Sequence, residues 1–344
     1  MSVLKNLPHR RQEAWRWTDL AGKLKAQSGL FDELMPTIET PKGVSVKIVS
    51  AGESPDNTMS RIAANVTSQM MLIELADGVD ITDPIIISEL TKGHGRIAVK
   101  IGKGASANII EHHRGRADSF ANIDISIDLG EGASLSRIIV QDDPENALRV
   151  GTATVTQDTG SNYSQFSLSF GSALTRLETQ LKINGTECES LLNAAYLLDG
   201  KRHTDITSYM GLYAPENVIR QSVKGVVFDS AKAAFQGKFY VERPAQKTDA
   251  EMRHDALLMS DRADVKSKPE LEIYADDVEC AHGNTIGALD ESALFYMRQR
   301  GIPLGQAKAL LIEAFLVGVF DDIADDDLRD SLSTKIREWL EARL

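Results

Sequence analysis

Residues 122–143, NIDISIDLGEGASLSRIIVQDD, alternate apolar and polar side chains, turn through two glycines and enter a second strand-like run. Ile123, Ile125, Ile127 and Leu129 fall on one face of an extended chain, with Asn122, Asp124, Ser126 and Asp128 on the other. The second half is a repeat. GKGASANIIEHH from Gly102 matches GEGASLSRIIVQDD from Gly130, a shift of 28 residues (130 − 102). Each copy is a Gly-x-Gly-Ala-Ser turn that leads into a strand. Repeats of this length suggest a solenoid, in which each coil buries its inner face against the next. Pattern alone leaves a sandwich open as well, because Asp77-Gly78, Asn184-Gly185 and Asp199-Gly200 are hairpin-type turns.

The same period of two extends from about 42 to 278. In QFSLSF it places Phe166, Leu168 and Phe170 on one face, and in RLETQLKING it groups Leu177, Thr179, Leu181 and Ile183. Both flanks read as helical. Leu4, Leu7, Trp15, Leu20, Leu24 and Leu30 recur at loose helical spacing over 1–35, with Pro8 suited to a first turn and Pro36 and Pro41 closing the segment. Trp15 and Trp17 are expected to anchor this segment to the body. After 288, Asp290 can cap a helix that ends at Gly301, and Pro303 can open a second with Leu304, Ala307, Leu310, Leu311, Ala314 and Phe315 as its apolar face. A last helix follows Asp325–Asp327, with Leu328, Leu332, Ile336, Trp339 and Leu340 on one side. The expected organisation is an N-terminal helical region at 1–41, a β core at 42–287 and a C-terminal helical region at 288–344.

Composition narrows the function. The 344 residues carry a net charge of −12 and a pI near 5.1, so phosphate backbones and anionic membranes are poor partners. The basic N-terminus has no apolar signal region, and ALLIEAFLVGVF (309–320) is too short to span a bilayer. With two cysteines far apart there is no disulfide framework, and the expected location is the cytoplasm. No Walker A loop, dinucleotide fingerprint, HExxH, CxxC or GxSxG occurs, so the chain itself is expected to bind no nucleotide and the case for an enzyme is thin.

The metal-competent stretch is DDVECAHGNTIGALDE, 276–291. On a strand, Cys280 and His282 project from one face about 7 Å apart and could share a borderline-soft ion. Equally, Cys280 could be a buried small hydrophobe and His282 a satisfied imidazole. Two cysteines cannot hold a standard iron–sulfur cluster alone, so any cluster needs ligands from elsewhere. His112 and His113 are adjacent and must face opposite ways on a strand. Cys188 has no flanking cation to activate it and reads as a bystander. The acid pairs Asp142–Asp143, Asp276–Asp277 and Asp321–Asp322 would permit carbohydrate cleavage on a solenoid, but they read more simply as solvated turn acids.

The stretch PELEIYADDVECAHGNTIGALDESALFYMRQRGI, with QKTDAEMRHDALLMSDRADVKSKP before it and LPHRRQEAWRWTDL at the N-terminus, resembles the SufB/SufD family of iron–sulfur cluster assembly proteins. The short N-terminal extension, the cysteine poverty and CAHGNTIG resemble its SufD branch. That resemblance implies a mainly β protein: a right-handed parallel β-helix core flanked by N-terminal and C-terminal helical regions. It implies a scaffold rather than an enzyme, working in a complex with a SufB-like sister subunit and a SufC-like ATPase, with a homodimer possible in isolation. His282 matches a histidine implicated in nascent cluster or iron binding at the interface between sister subunits, and Cys280 matches its neighbouring cysteine. Phe295, Arg298, Leu310 and Phe315 fall in the region that matches the ATPase grip. The resemblance leaves the SufB-like main scaffold as the alternative role, with the carbohydrate-active solenoid behind it.

Overall fold

A computed structural model describes residues 7–24, 28–50, 52 and 56–344; Leu4 lies outside them. The strands, in chain order, begin with β1 (Thr37–Glu39), β2 (Val44–Ser50), β3 (Gln69–Leu75), β4 (Ile85–Ser88), β5 (Gly93–Ile101) and β6 (Ser106–His113). They continue with β7 (Phe120–Leu129), β8 (Ser134–Gln141), β9 (Leu148–Gln157), β10 (Asn162–Ser169), β11 (Leu174–Ile183) and β12 (Glu189–Leu198). The last are β13 (His203–Leu212), β14 (Val218–Val227), β15 (Lys232–Val241), β16 (Asp249–Leu258), β17 (Asp264–Ile273) and β18 (Glu279–Gly287). From β3 onward successive strands alternate between two nine-stranded sheets, one ordered β1-β4-β6-β8-β10-β12-β14-β16-β18 and the other β17-β15-β13-β11-β9-β7-β5-β3-β2. The chain therefore winds as a parallel β-solenoid of about 8 turns. Among the described residues, antiparallel ladders occur only at its N-terminal end, as β1–β4 and β2–β3.

The turn repeat sets the coil. Ser106 pairs with Ser134 and Ser134 with Asn162, so the shift between the Gly-x-Gly-Ala-Ser copies is the circumference of one coil. At the corner, Gly104, Gly132 and Gly160 adopt left-handed φ angles of 61, 66 and 67°, and each N–H donates to the carbonyl of the next coil at 2.8–2.9 Å. Glu187, Glu216 and Lys247 continue that left-handed corner, an uncommon conformation for residues with a Cβ. The Asp-Gly and Asn-Gly pairs at 77, 184 and 199 are not hairpins. Each joins a strand of one sheet to a strand of the other, which removes the basis for a sandwich.

Three apolar clusters hold the molecule. Inside the solenoid, Ile123, Ile125, Ile127 and Leu129 stack with Leu135, Leu181, Ile183 and Leu192. On the outer face of the even-numbered sheet, Phe166, Leu168 and Phe170 are buried beneath two C-terminal helices, α4 (Leu304–Val317) and α5 (Asp326–Glu341), through Ile312, Leu316, Ile336 and Trp339. The face of QFSLSF that looks like an inner wall is thus an outer one; the interior there receives Gln165, Ser167 and Ser169. On the odd-numbered sheet, the N-terminal segment and α2 (Thr58–Val66) cover Phe120, Leu148, Val150 and Leu174 with Trp15, Leu20, Met59 and Ile62.

The N-terminal segment holds less helix than its leucine spacing suggests. Its described part has one 3-10 turn at Glu13–Trp15 and a four-residue helix, α1 (Leu20–Lys23). Tertiary bonds fix it instead. The Arg176 guanidinium lies 4.3 Å from the centre of the Trp15 ring and donates to the Ala14 carbonyl, while the Thr18 hydroxyl bonds Asp205 and His203. Trp15 is the anchor expected; Trp17 is only half-buried.

Charge is also buried. Inside the solenoid the Glu111 carboxylate accepts from Arg137 at 2.6 and 3.0 Å and lies 2.8 Å from His113 Nε2. Burial raises its pKa, but Arg137 and His113 outweigh burial and hold it at about 2. Truncating one member of a buried pair strands the other charge, so Arg137→Leu is expected to cost about 3–5 kcal/mol in urea unfolding, with Glu111→Gln added to it recovering part of the loss.

Burial, with Lys23, Lys232 and Arg176 nearby, outweighs the Asp205 carboxylate and pushes His203 down to about 4, from 6.5. Between those two values the unfolded chain binds a proton that the folded chain refuses. Stability is therefore expected to fall as pH drops from 6.5 to 4, by at most about 3 kcal/mol from this residue. His203→Gln should flatten the slope of unfolding midpoint against pH in that window.

Candidate functional site

The coils end at β17 and β18, and among the described residues no further coil covers them. Parallel register fixes which side chains of β18 continue the interior. Cys280 lies over Ala250, His282 over the buried Met252, Asn284 over His254 and Ile286 over Ala256. Ala250, Met252 and Ala256 belong to the inner core and Cys280 packs against it, so this row is the inward row. At the last coil the inward row faces out of the open end. His282, Asn284 and Ile286 are consequently exposed and Cys280 is half-buried. A Cβ on Gly283 or Gly287 would meet nothing within 4 Å.

The two terminal strands differ in how they expose their edges. β17 carries Lys266, Lys268 and Pro269, which discourage further strand pairing. β18 reads ECAHGNTIG, with no proline and no lysine, and presents unpaired backbone groups beside exposed Ile286.

Cys280 and His282 share one face of one strand, as their spacing predicts, but they remain a pair. Among the described residues no three or more His, Cys, Asp or Glu side chains come together as a metal site. Burial and the nearby Asp249 raise the Cys280 thiol above its ordinary pKa. Beneath β18 lies a polar chain that spacing did not reveal. Tyr196 Oη is 2.9 Å from His254 Nε2, and His254 Nδ1 is 2.8 Å from Asn284 Oδ1. The imidazole stacks on Phe235 with 4.8 Å between ring centres, and burial holds its pKa below the ordinary value against the raising effect of Asn284. Only the coil register, about 30 residues per turn here, brings these residues together (279 − 249 = 30).

The remaining candidates fall elsewhere. His113 points inward and His112 outward, as adjacency requires. Cys188 is fully buried at a corner, 3.1 Å from the Asp158 carbonyl. Asp143 departs from the solvated-acid reading: it is 2% exposed and ion-paired to Arg149 at 2.6 Å. The three acid pairs occupy three separate loops, so the carboxylate geometry that glycoside cleavage needs is not assembled.

Helix α3 (Glu291–Gln299) starts three residues after β18, capped by Asp290, whose side chain accepts from Ser292 N and Ala293 N. It exposes Phe295, Tyr296 and Arg298, and α4 exposes Leu304 and Leu310. Of the expected apolar face of α4, Ala307 is buried and Leu311 and Phe315 are half-buried, whereas Leu304, Leu310 and Ala314 are exposed and Ile312 and Leu316 are buried instead, because α4 packs on the outer wall of the solenoid. Phe315 is half-buried against that wall, its ring centre 5.3 Å from Lys224 Nζ.

The profile for "SUF system FeS cluster assembly, SufBD core domain" matches residues 85–315, from the start of β4 into α4. The chain belongs to the SufBD family. Among SufBD relatives, the iron–sulfur cluster assembly protein SufD of Escherichia coli is 27% identical across 97% of this chain and 89% of its own length. An iron–sulfur cluster assembly SufBD family protein of Synechocystis is 33% identical across 65% of this chain and 49% of its own. Protein ABCI7, chloroplastic, of Arabidopsis thaliana is 27% identical across 79% and 60% respectively. The SufBD core thus includes the terminal coil with Cys280 and His282 as well as the α3–α4 pair. No helix among the described residues is long and apolar enough to cross a membrane.

Accessibility separates the two thiols. In the native chain iodoacetamide is expected to label Cys280, slowly because its thiol is hard to ionise, and to leave Cys188 untouched. Intact-mass measurement should show one adduct before denaturation and two after it.

Proposed function

We propose that this SufBD-family chain is a SufD-like, non-enzymatic scaffold subunit that acts in the cytoplasm. It meets a SufB-like sister subunit at the open end of its solenoid and contributes His282 to a site for nascent iron–sulfur cluster or iron that the sister completes. Cys280 is a candidate second donor. The observation that carries this reading is the placement of His282: an inward-row residue of the last strand, left exposed because the coils stop there. A lone imidazole with one neighbouring thiol is an incomplete ligand set, and a partner pairing with the unguarded edge of β18 would bring further donors to it. The cluster is cargo that passes through.

A SufC-like ATPase would dock on the exposed surface formed by Phe295, Arg298 and Leu310, with Phe315 at its base. Only Ala288, Leu289 and Asp290 separate β18 from α3, so a displacement of the helices would act directly on the strand that carries His282. ATP binding shifts this assembly only if the docked ATPase makes different contacts in its two nucleotide states. Isolated chains would pair with each other through the same open end. The alternative role of main cluster scaffold is disfavoured by the full burial of Cys188, which leaves no accessible acceptor thiol besides Cys280.

His282→Ala is expected to leave the unfolding midpoint unchanged, because the side chain is exposed in the free chain, and to keep co-purification with the sister subunit and ATPase, because the proposed pairing runs through the backbone of β18 and the docking through α3 and α4. Cluster formation in cells should fall severely. Normal cluster output from a correctly assembled variant would remove His282 from the mechanism.

A further inference from the structure

The proton positions in the polar chain under β18 follow from its geometry. Tyr196 is fully buried, and among the described residues its hydroxyl meets only His254 Nε2. If His254 carried its proton on Nε2, the tyrosine O–H would have no acceptor in the core, at the cost of a buried unsatisfied donor. Tyr196 therefore donates to Nε2, the imidazole proton sits on Nδ1, and Nδ1–H donates to Asn284 Oδ1. This sequence of donors also settles which end of the Asn284 amide faces down. Its oxygen is engaged by His254, and its NH2 group, on an exposed side chain of the last strand, donates to nothing among the described residues.

Asn284 and His282 lie two residues apart in the same inward row, roughly 7 Å along the strand. A group bound at His282 therefore sits within reach of the Asn284 amide. Bound sulfide and thiolate sulfurs accept N–H hydrogen bonds, and such bonds stabilise the reduced, more negative form of a cluster. We propose that Asn284 is a hydrogen-bond donor to the sulfur atoms of the iron–sulfur cargo held by His282, and that His254, backed by Tyr196, is the residue that positions it. This rests on the shared-site reading above and assigns two further residues to that site. The stacking of His254 on Phe235 makes the support rigid, so the donor is oriented before the cargo arrives.

The test uses the full chain in its complex with the sister subunit and ATPase, loaded anaerobically with ferrous iron and sulfide. For wild type, Asn284→Ala, Asn284→Asp, His254→Phe and His282→Ala, bound iron, the rate of cluster loss to a chelator and the reduction potential are measured. Asn284→Ala is expected to keep its bound iron but to lose the cluster on the order of tenfold faster, with a lowered reduction potential. Asn284→Asp, which replaces the donor with a negative acceptor, should lower the potential further. His254→Phe keeps a ring on Phe235 but frees the amide, and should reproduce Asn284→Ala; its thermal unfolding profile checks that it folds. Wild-type lifetimes and potentials in both Asn284 variants, with His282→Ala losing its cluster, would overturn the proposal and leave the shared site standing. A wild-type result for His254→Phe beside a shifted Asn284→Ala would overturn the positioning role of His254. Undiminished cluster binding in His282→Ala would overturn the shared-site reading itself.

Discussion

In-register parallel pairing of each coil with the next is the constraint on which the rest of this molecule depends. Because side chains of stacked strands superimpose, every inward position becomes a column that runs the length of the solenoid. The column ending at His282 passes through Arg137, Gln165, Leu192, Gln221 and Met252. The left-handed corner of Gly104, Gly132 and Gly160 repeats the same turn from coil to coil, and each of its N–H groups bonds the carbonyl of the next coil.

The same constraint creates two problems that the ends of the chain solve. Both faces of each sheet carry apolar residues, so the outer faces also need covers. The N-terminal segment and α2 supply one, and α4 with α5 supply the other. The second problem is the last coil. Each interior coil is shielded by its successor, whereas among the described residues β17 and β18 have none. Lysines and a proline blunt β17, while β18 is left plain beside an exposed imidazole. A strand that a folded protein leaves unguarded is a place where another chain fits.

Much of this was legible in local sequence. The alternation in 122–129, the 28-residue turn repeat and the helix caps at Asp290 and Asp325 depend on neighbours within a few residues, and the structure forms them accordingly. The leucine spacing of 1–35 misled because the described part of that segment is fixed by contacts with distant strands at Arg176 and Asp205, not by its own helix bonds. The wall on which Phe166, Leu168 and Phe170 lie was likewise invisible, since period two separates two faces without saying which is the inner one. Asp143 looked like a turn acid because its partner Arg149 reaches it only through the fold of the corner.

Sequence by itself determined that the chain is a coil-repeating β protein with helical ends, that Cys280 and His282 share a face, and, through CAHGNTIG and its surroundings, which family it resembles. These are properties of spacing and motif, and they survive without knowledge of neighbours. Only the tertiary structure decided that this face is the inward row of an uncovered last coil, with Met252 beneath the imidazole and a Tyr196–His254 pair beneath Asn284. The physical reason is the length of the repeat. Partners one coil apart are about 30 residues apart in sequence (282 − 252 = 30), and only the backbone hydrogen bonds between coils bring them to hydrogen-bonding range.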